Sequence, residues 1–580
     1  MTRRFDPGLP ATELSSTGPP ATGLPATGLP ATELPATELP ATELSSTGLP
    51  ATGLPATELS STGLPATGLP ATGLPATGLP ATGLPATGLP ATELPSIGLL
   101  SIAATLAGVV AWVFFHFSYL PMVDLPQHAA ALSEWVHLHD PSYGFADQFE
   151  INWWTPYLLS YLLARPFVPL LGVLGALKLV VLLSVLGTVA AYWFLLRSVK
   201  QDEWLCLLAL PLSFGFSFYF GFTNFLLGTP FILASVVLAL KYSAQPSARI
   251  GVPFALVLGA TFLAHVIAFA ISSAGAFALT ARKIRSWRGL LRDYWPLLGG
   301  LLFVVPWIPG FAKSPDISAH PEQWLLGWGR LWALPAMLFA SSPADELAGR
   351  LGVAALILVV LSLGTPSRAW GRYGLLALAL LAYFLFPFEL RGVSFLFQRF
   401  AVLLIPGLIL AAAGSRSLLP KWLRRAALVL FSAGWVGVFA QRVRDFNLEA
   451  GDFPQLIREL PPRLRVRPLI FDNQSAAFPG TPLFLHFPAY YQAEKGGFLG
   501  YSFARYYTCF VRYQPAVDMG MGEDMEWNPR WFDARSEVAK YDVFMVRAGW
   551  DASHELFRNS PQPVVLETHS DPWWIYRAEE

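Results

Sequence analysis

The chain has 580 residues, of which 53% are hydrophobic, 14% aromatic and only 13% charged. Soluble chains carry roughly a quarter charged residues, so the composition excludes an ordinary soluble enzyme. The 39 basic and 39 acidic residues balance, and no basic excess favours a nucleic-acid partner. These totals average three unlike segments: residues 1–96 hold 9 charges, residues 97–440 hold 35 and residues 441–580 hold 34.

The first segment, 1–96, is dominated by a pentapeptide repeat. Seventeen consecutive units run from Gly8 to Thr92, most of them Gly-Leu-Pro-Ala-Thr. Proline lacks an amide donor and fixes φ, which opposes both helices and strand ladders. With at most one leucine per unit and no aromatic residue, the repeat cannot bury enough apolar surface to offset its ordering entropy. We therefore expect a disordered tether.

The second segment, 97–440, carries many apolar runs of the length that a membrane helix needs, about 20 residues. We predict about eleven spans, at 98–118, 173–196, 204–220, 222–241, 251–264, 266–281, 295–311, 347–364, 373–388, 400–414 and 426–440. The stretch 154–171 is then a juxtamembrane or re-entrant piece. Residues 251–281 form two short helices that turn near His265.

Basic residues collect in five connecting segments, which the positive-inside rule places in the cytoplasm. These segments hold 15 of the 22 basic residues of 97–440 but only three of its 13 acids. With an odd number of spans, the N-terminus lies inside and the tail 441–580 lies outside. We therefore predict a multi-pass protein of the cytoplasmic (inner) membrane whose first long loop, 119–153, faces outward together with the tail.

This first outer loop carries an aspartate and a histidine beside a predicted helix start. In the stretch Val-Asp-Leu-Pro-Gln-His, Pro126 suits the first turn of a helix. Asp124 is then at or beside the N-cap, with His128 four residues on and able to share its face. Both are candidate functional residues. The alternative is that Asp124 only caps the helix and that His128 is an interfacial histidine.

Further polar residues fall on the predicted outer side, where ionisable groups at membrane depth usually face a cavity or a partner. Arg391 and Arg399 have the guanidinium geometry that suits a phosphate, the alternative being snorkelling or contact with lipid headgroups. His265 is either a site residue or a packing histidine, and Asn224 either a site residue or a hydrogen bond between helices. The other candidates for a substrate cleft are Tyr219 and Gln398.

The arrangement resembles the GT-C superfamily of membrane glycosyltransferases, which use polyprenyl-phosphate-linked sugars. The resemblance covers about residues 97–580 and rests on one N-terminal span, a long outer loop with an acid soon after the first helix (Val-Asp124-Leu-Pro-Gln-His), many short spans and an outer C-terminal domain. It implies that Asp124 is the base that removes a proton from the acceptor. It further implies that His128 assists the base or binds a metal ion, and that Arg391 and Arg399 hold the departing phosphate.

An inverting reaction is expected from this resemblance, and a divalent metal ion at Asp124 and His128 is left open. The protein mannosyltransferase and aminoarabinose transferase branches frequently have an adjacent Asp-Glu pair. Here Leu125 follows Asp124, which puts metal use and close kinship to those branches in doubt.

The tail, 441–580, alternates strand-like runs with polar and helical stretches, which predicts a small α/β domain outside the membrane. The runs are at 468–472, 541–547 and 564–568. Its aromatic residues, dense around 484–491 and 503–507, either stack on sugar rings or form the core of the domain and its seat on the membrane.

The leading functional hypothesis is transfer of a sugar from a polyprenyl-phosphate donor to a glycan, lipid or protein acceptor at the outer face. One alternative is a transporter or flippase of lipid-linked glycans, although 97–440 shows no two-fold repeat of the kind that transporters often have. The other is a polymerase or ligase of lipid-linked glycans. The sequence has neither a phosphate-binding loop nor a His-Glu-x-x-His motif, which disfavours an ATP-driven pump and a zinc protease.

Overall fold

The computed structural model describes residues 96–280, 286–309, 322–390, 393–413 and 417–579. All of them belong to one unit, Pro95–Glu580. The predicted tether, 1–96, lies outside the described residues except for Ser96.

The described chain begins with an apolar helix and then enters a short buried one. Helix α1 spans Ile97–His116, and the Ser96 hydroxyl caps it by accepting a hydrogen bond from the amide of Leu99. Helix α2 spans Leu125–Val136 and has the predicted proline in its first turn. A three-residue strand, β1, follows at Phe149–Ile151.

A long, bent helix comes next. Helix α3 (Leu159–Ala164) and a 3-10 turn (Arg165–Phe167) lead into helix α4 (Val168–Ser198). Gly172 interrupts α4 with a φ of 69°, a left-handed conformation that glycine adopts without steric cost. The bend falls at the limit between the re-entrant piece 154–171 and the span 173–196 that the sequence predicts.

The rest of the helical part consists of helices of very unequal length. They are α5 (Ala209–Leu212), α6 (Phe216–Tyr219), α7 (Thr223–Ala244), α8 (Ala248–Ala264), α9 (Val266–Thr280), α10 (Trp287–Val304), α11 (Gly329–Met337), α12 (Glu346–Ser362), α13 (Gly374–Leu385), α14 (Leu404–Ala411) and α15 (Lys421–Glu449). Stretches of 3-10 helix lead into α5, α13 and α14 at Glu203–Leu208, Trp370–Tyr373 and Phe397–Leu403, and strands β2 (Thr365–Pro366) and β3 (Ala412–Ala413) pair with each other. His265 separates α8 from α9 in an extended conformation, which confirms the predicted turn near His265.

Within the described residues, four helical stretches are long and apolar enough to cross a membrane. They are Ile97–His116, Leu159–Ser198, Thr223–Ala244 and Lys421–Glu449. Shorter apolar helical stretches accompany them at Glu203–Tyr219, Ala248–Ala264, Val266–Thr280, Trp370–Leu385 and Phe397–Ala411. The polytopic helical character that the sequence predicts is confirmed in this form, while the number of spans and their orientation stay predictions.

The C-terminal part is built on a mixed five-stranded sheet, and the three strand-like runs of the tail overlap with three of its strands. Its strands are β4 (Arg465–Ile470), β5 (Phe498–Leu499), β7 (Val543–Arg547), β8 (Val564–Ser570) and β9 (Trp573–Ala578), in the order β5-β4-β7-β9-β8. Strand β4 is parallel to both of its neighbours, and β9 is antiparallel to both of its own. The other elements are α16 (Phe453–Glu459), α17 (Ala489–Lys495), β6 (Val511–Tyr513), α18 (Glu523–Trp527), α19 (Ala534–Glu537) and α20 (Ser553–Phe557).

The first long loop, 119–153, is joined to this C-terminal part at several positions. Strand β1 pairs antiparallel with β6, in the register Phe149↔Tyr513. In α2, the Ser133 hydroxyl donates to the carbonyl of Ala493, at 2.7 Å. The loop and the C-terminal part are therefore packed together, and the predicted site residues Asp124 and His128 belong to this loop.

Candidate active site

Asp124 stands immediately before α2, and its backbone is fixed by the turn that follows α6. The amides of Val123 and Asp124 donate to the carbonyls of Tyr219 and Phe220, at 2.9 and 3.1 Å. The Asp124 side chain makes no capping hydrogen bond to α2. The capping role is therefore excluded for the carboxylate, which faces a cavity instead.

This cavity has a volume of about 240 Å³ and is lined by both the helical and the C-terminal part. Five of the eight predicted site residues line it, namely Asp124, His128, Asn224, His265 and Arg399. All five are less than a tenth exposed. These five residues come from four separate stretches of the chain and converge on one site.

His128 lies one turn into α2 and is a neutral member of the wall. Its Nδ1 is 2.7 Å from the hydroxyl of Tyr161, and the hydroxyl of the neighbouring Ser160 donates to the side chain of Asn224. Burial lowers the pKa of His128 to about 4, although the nearby Asp124 carboxylate acts in the opposite direction. His128 is therefore buried and uncharged at neutral pH, not an interfacial histidine.

Arg399 is held in a fixed orientation by the residues just before it. Its Nε donates to the carbonyl of Phe395 at 3.3 Å and its Nη2 to that of Ser394 at 3.0 Å. The guanidinium group lies over the ring of Phe222, 3.9 Å from the ring centre. A buried, oriented guanidinium group on a cavity wall suits a phosphate.

His265 lies beside Arg399 and helps to orient it. Its Nδ1 lies 3.1 Å from the amide nitrogen of Ile267, and its Nε2 lies at hydrogen-bond distance, 3.1 Å, from Nη1 of Arg399. Each of the three nitrogens of the guanidinium group is therefore contacted, two by the carbonyls of Phe395 and Ser394 and the third by His265.

The C-terminal part supplies two residues that the sequence did not single out. Nε2 of His486 is 3.5 Å from Oδ1 of Asp124, and its Nδ1 is 2.7 Å from Oε1 of Glu526. Burial alone would lower the pKa of His486, but the Glu526 and Asp124 carboxylates outweigh it and raise this pKa to about 10. His486 therefore carries a positive charge between two acids.

The only sequence signal for His486 is that it interrupts an aromatic stretch, 484–491, of the tail. Nothing local distinguishes Glu526 from the other acids of that segment. Beside them, the Tyr506 hydroxyl donates to Glu523, at 2.7 Å, and both residues line the cavity together with Trp527. The C-terminal wall of the cavity is thus aromatic and acidic.

The other predicted site residues do not line this cavity. Tyr219 is buried with its ring against Phe478, 4.9 Å between ring centres, and contributes its backbone carbonyl rather than its side chain. Gln398 lines a separate small cavity, because successive residues of a 3-10 helix point about a third of a turn apart. Arg391 lies outside the described residues.

The sequence leaves open whether Asp124 and His128 bind a divalent metal ion. The part of the chain that the structure describes contains no complete set of ligands for one. No group of three or more His, Cys, Asp or Glu side chains there is arranged to hold a metal ion. His128 directs Nδ1 to Tyr161, which leaves Asp124 and His128 as a pair at most. We therefore derive no step through a metal.

A larger groove, of about 1060 Å³, lies beside the bend at Gly172. Its polar lining includes Arg165 and Glu494, and its apolar lining includes Trp135 and Trp153. It contains none of the predicted site residues. The smaller cavity is therefore the candidate active site.

The fold is similar to that of a solved membrane protein. The crystal structure of ArnT from Cupriavidus metallidurans bound to undecaprenyl phosphate matches with a TM-score of 0.52 and 13% sequence identity, over 83% of this chain and 98% of that chain. ArnT in the apo state matches over the same shares with a TM-score of 0.41 and 12% identity. No family model and no curated protein matches the sequence. The similarity to ArnT concerns the fold, and it agrees with the architecture that the sequence predicts.

Proposed function

We propose that this protein, which has a GT-C fold, transfers a sugar from a polyprenyl-phosphate donor to an acceptor at the outer face of the membrane. One observation carries the proposal: a single buried cavity joins a carboxylate, Asp124, to an oriented guanidinium group, Arg399. A base for the acceptor and a cation for the leaving phosphate are the two groups that this reaction needs. The fold of a protein solved with undecaprenyl phosphate supports the same donor class.

In the proposed reaction, Asp124 takes the proton of the acceptor hydroxyl while the hydroxyl oxygen attacks the anomeric carbon of the donor sugar. The bond between that carbon and the phosphate oxygen breaks, and polyprenyl phosphate leaves with the electron pair. Attack on the face opposite the phosphate inverts the configuration at the anomeric carbon. Arg399, oriented by His265, stabilises the leaving phosphate, and Arg391 is a second candidate for this role.

The remaining cavity residues position these groups. The adjacent hydroxyls of Tyr161 and Ser160 contact His128 and Asn224, respectively, which fixes the start of α2 against α7 through α3. Burial of Asp124 keeps bulk water away from the base, which limits hydrolysis of the donor. The acceptor, a glycan, lipid or protein, enters from the outer side, where the C-terminal part supplies the aromatic wall.

The test is a comparison of cell-envelope glycans, by mass spectrometry, from cells that carry the wild-type protein or Asp124→Asn. We expect the product to fall by about 100-fold or more, because the amide cannot accept the proton, while the amount of protein in the membrane is unchanged. Asp140→Asn is the matched control, since Asp140 lies in the same outer loop but is exposed.

Normal product with Asp124→Asn would contradict the proposal. The product also discriminates between the alternative functions. A gain of one sugar fits transfer, whereas a gain of a whole chain indicates a polymerase or ligase. Flipping or uptake by purified protein in vesicles, without any new glycosidic bond, indicates a transporter.

A further inference from the structure

His486 and Glu526 are buried beside the proposed base but have no part in the reaction described above. Both side chains are less than a tenth exposed. Both come from the C-terminal part. Oε1 of Glu526 is 2.7 Å from Nδ1 of His486, and Nε2 of His486 is 3.5 Å from Oδ1 of Asp124. A charged chain of three buried side chains is costly unless its members are paired, which calls for a functional reason.

The ring of His486 is held on both sides. It lies parallel to the ring of Tyr501, 5.7 Å between centres and 6° between planes, and it meets Phe503 edge-on at 5.3 Å. The side chain of Gln127 in α2 donates to the carbonyl of Tyr501 at 3.3 Å and accepts from the amide of Phe503 at 3.2 Å. The stretch that clamps His486 is thus itself fixed to α2, the helix that Asp124 precedes.

This geometry decides which atoms of Asp124 are engaged. Glu526 accepts from Nδ1 of His486, and Nε2 of the imidazolium lies beside Oδ1 of Asp124, at the ion-pair distance of 3.5 Å. Oδ2 is then the oxygen left for the acceptor hydroxyl. A base that offers one defined oxygen is better oriented for proton transfer than a carboxylate free to rotate.

We propose that His486 and Glu526 are positioning residues for the transfer reaction: Glu526 orients His486, and Nε2–H of His486 holds Oδ1 of Asp124 so that Oδ2 faces the acceptor. This inference rests on the proposed function. It makes the active site a joint product of the two parts of the chain, complete only when the C-terminal part is docked on α2.

The groups that act on the charge of His486 come from three elements. Asp124 precedes α2, His128 lies on α2, and Glu526 lies on α18, where the neighbouring Glu523 acts on Glu526. Of these, Glu526 is the strongest support for the imidazolium. Replacing Glu526 with glutamine therefore lowers the pKa of His486, and the imidazolium is lost at a lower pH than in the wild type.

The experiment measures the rate of formation of the envelope product in washed membranes between pH 6 and 10, for His486→Ala, His486→Gln and Glu526→Gln. We expect His486→Ala to lower the maximal rate by about 10- to 100-fold, the effect of a misplaced catalytic group. Glutamine retains an Nε2 donor, so His486→Gln should recover part of this loss. Glu526→Gln should move the alkaline fall of the rate to lower pH. Binding of undecaprenyl phosphate to the purified variants should match the wild type, which reports on folding.

The matched control is His569→Gln, because His569 forms another histidine–carboxylate pair of the C-terminal part, with Asp571 at 3.0 Å, but at the surface. It should leave both the rate and its pH dependence unchanged. Wild-type rates in His486→Ala, or a loss in Glu526→Gln that is equal at every pH, would overturn the positioning role. If Asp124→Asn also retains the product, the proposed function falls and this inference with it; if only Asp124→Asn loses the product, this inference alone falls.

Discussion

Gly221 sets the position of the Asp124 carboxylate although it carries no side chain. Its φ is 85°, and a Cβ added to it would lie 2.5 Å from the Asp124 amide nitrogen and 3.0 Å from its Cα. Both are backbone atoms, so the neighbour cannot rotate out of the way. The close approach of these two backbones therefore requires glycine at 221.

For this reason we expect Gly221→Ala to displace Asp124 and to lower the transfer rate by about 10- to 100-fold. The left-handed conformation adds a stability cost of about 1–2 kcal/mol for alanine. Product formation and the melting temperature of the purified protein measure the two effects separately.

Gly172→Ala is the control for the conformational cost alone, since Gly172 also has a positive φ, 69°, but a Cβ there meets nothing within 4 Å. It should lower the melting temperature without a comparable loss of rate. Equal rates in the two variants would show that the approach to Asp124 has no role in positioning.

At the scale of single residues, the sequence predicts what depends on chemical type and on the side of the membrane. Asp124, Asn224 and Arg399 line one cavity, because polar side chains at membrane depth usually face a cavity or a partner and not the lipid. It does not predict which face of a short helix each residue occupies. The sequence therefore groups Gln398 with its neighbour Arg399, although the two line different cavities. Nor does it predict His486, whose partner Asp124 is distant in the chain and whose role depends on how the two parts dock.

Helix α2 contains a buried acid, Glu134, in addition to Asp124 just before the helix. It is 1% exposed, and its Oε1 has no hydrogen-bond partner among the described residues. Burial raises the pKa of Glu134 to about 8, from an ordinary value of 4.5. The folded protein therefore holds a proton there that the unfolded chain releases.

It follows that Glu134 makes stability depend on pH. Its contribution is complete below pH 4.5 and is lost as the pH rises from 4.5 towards 8. We expect Glu134→Gln, which is neutral at every pH, to melt several degrees higher than the wild type at pH 8 and to differ little from it at pH 4.5. Thermal melting of the purified protein across this range measures the difference.

The exposed Glu555 provides the control, because Glu555→Gln should follow the wild-type curve. Burial raises the pKa of Glu526 as well, so Glu526 also lowers the stability of the wild type over a similar pH range. Only the difference between the wild type and Glu134→Gln therefore reports on Glu134. A Glu134→Gln curve parallel to that of the wild type would mean that Glu134 is already ionised in the folded protein.

At the scale of elements, apolar runs predict where helices lie but not whether each is continuous. The predicted span 204–220 is a 3-10 stretch and two four-residue helices, Ala209–Leu212 and Phe216–Tyr219. Gly215 lies between the two in an extended conformation, which a hydropathy pattern does not reveal. By contrast, the turn near His265 is predicted, because the basic segments on both sides of 251–281 are assigned to the same side of the membrane, which requires an even number of crossings.

At the scale of the whole molecule, the candidate active site lies between the apolar segment, 97–440, and the more highly charged tail, 441–580. The apolar segment supplies Asn224, His265 and Arg399, whereas the tail supplies His486 and Glu523. The sorting of charges along the sequence predicts that the first loop and the tail share one side of the membrane. Their pairing through β1 and β6 agrees with a shared side, while the absolute orientation stays a prediction.

The two native cysteines allow this orientation to be tested without engineering new ones. Cys509 is partly exposed and lines the active-site cavity, whereas Cys206 is buried in the helical part. If the C-terminal part is outside, a membrane-impermeant maleimide added to intact spheroplasts should label Cys509, and Cys509→Ser should abolish the labelling. Undecaprenyl phosphate should slow the reaction in purified wild-type protein, because the lipid phosphate and the label compete for one small cavity. Labelling that requires prior permeabilisation of the membrane would place the C-terminal part, and with it the active site, on the cytoplasmic side.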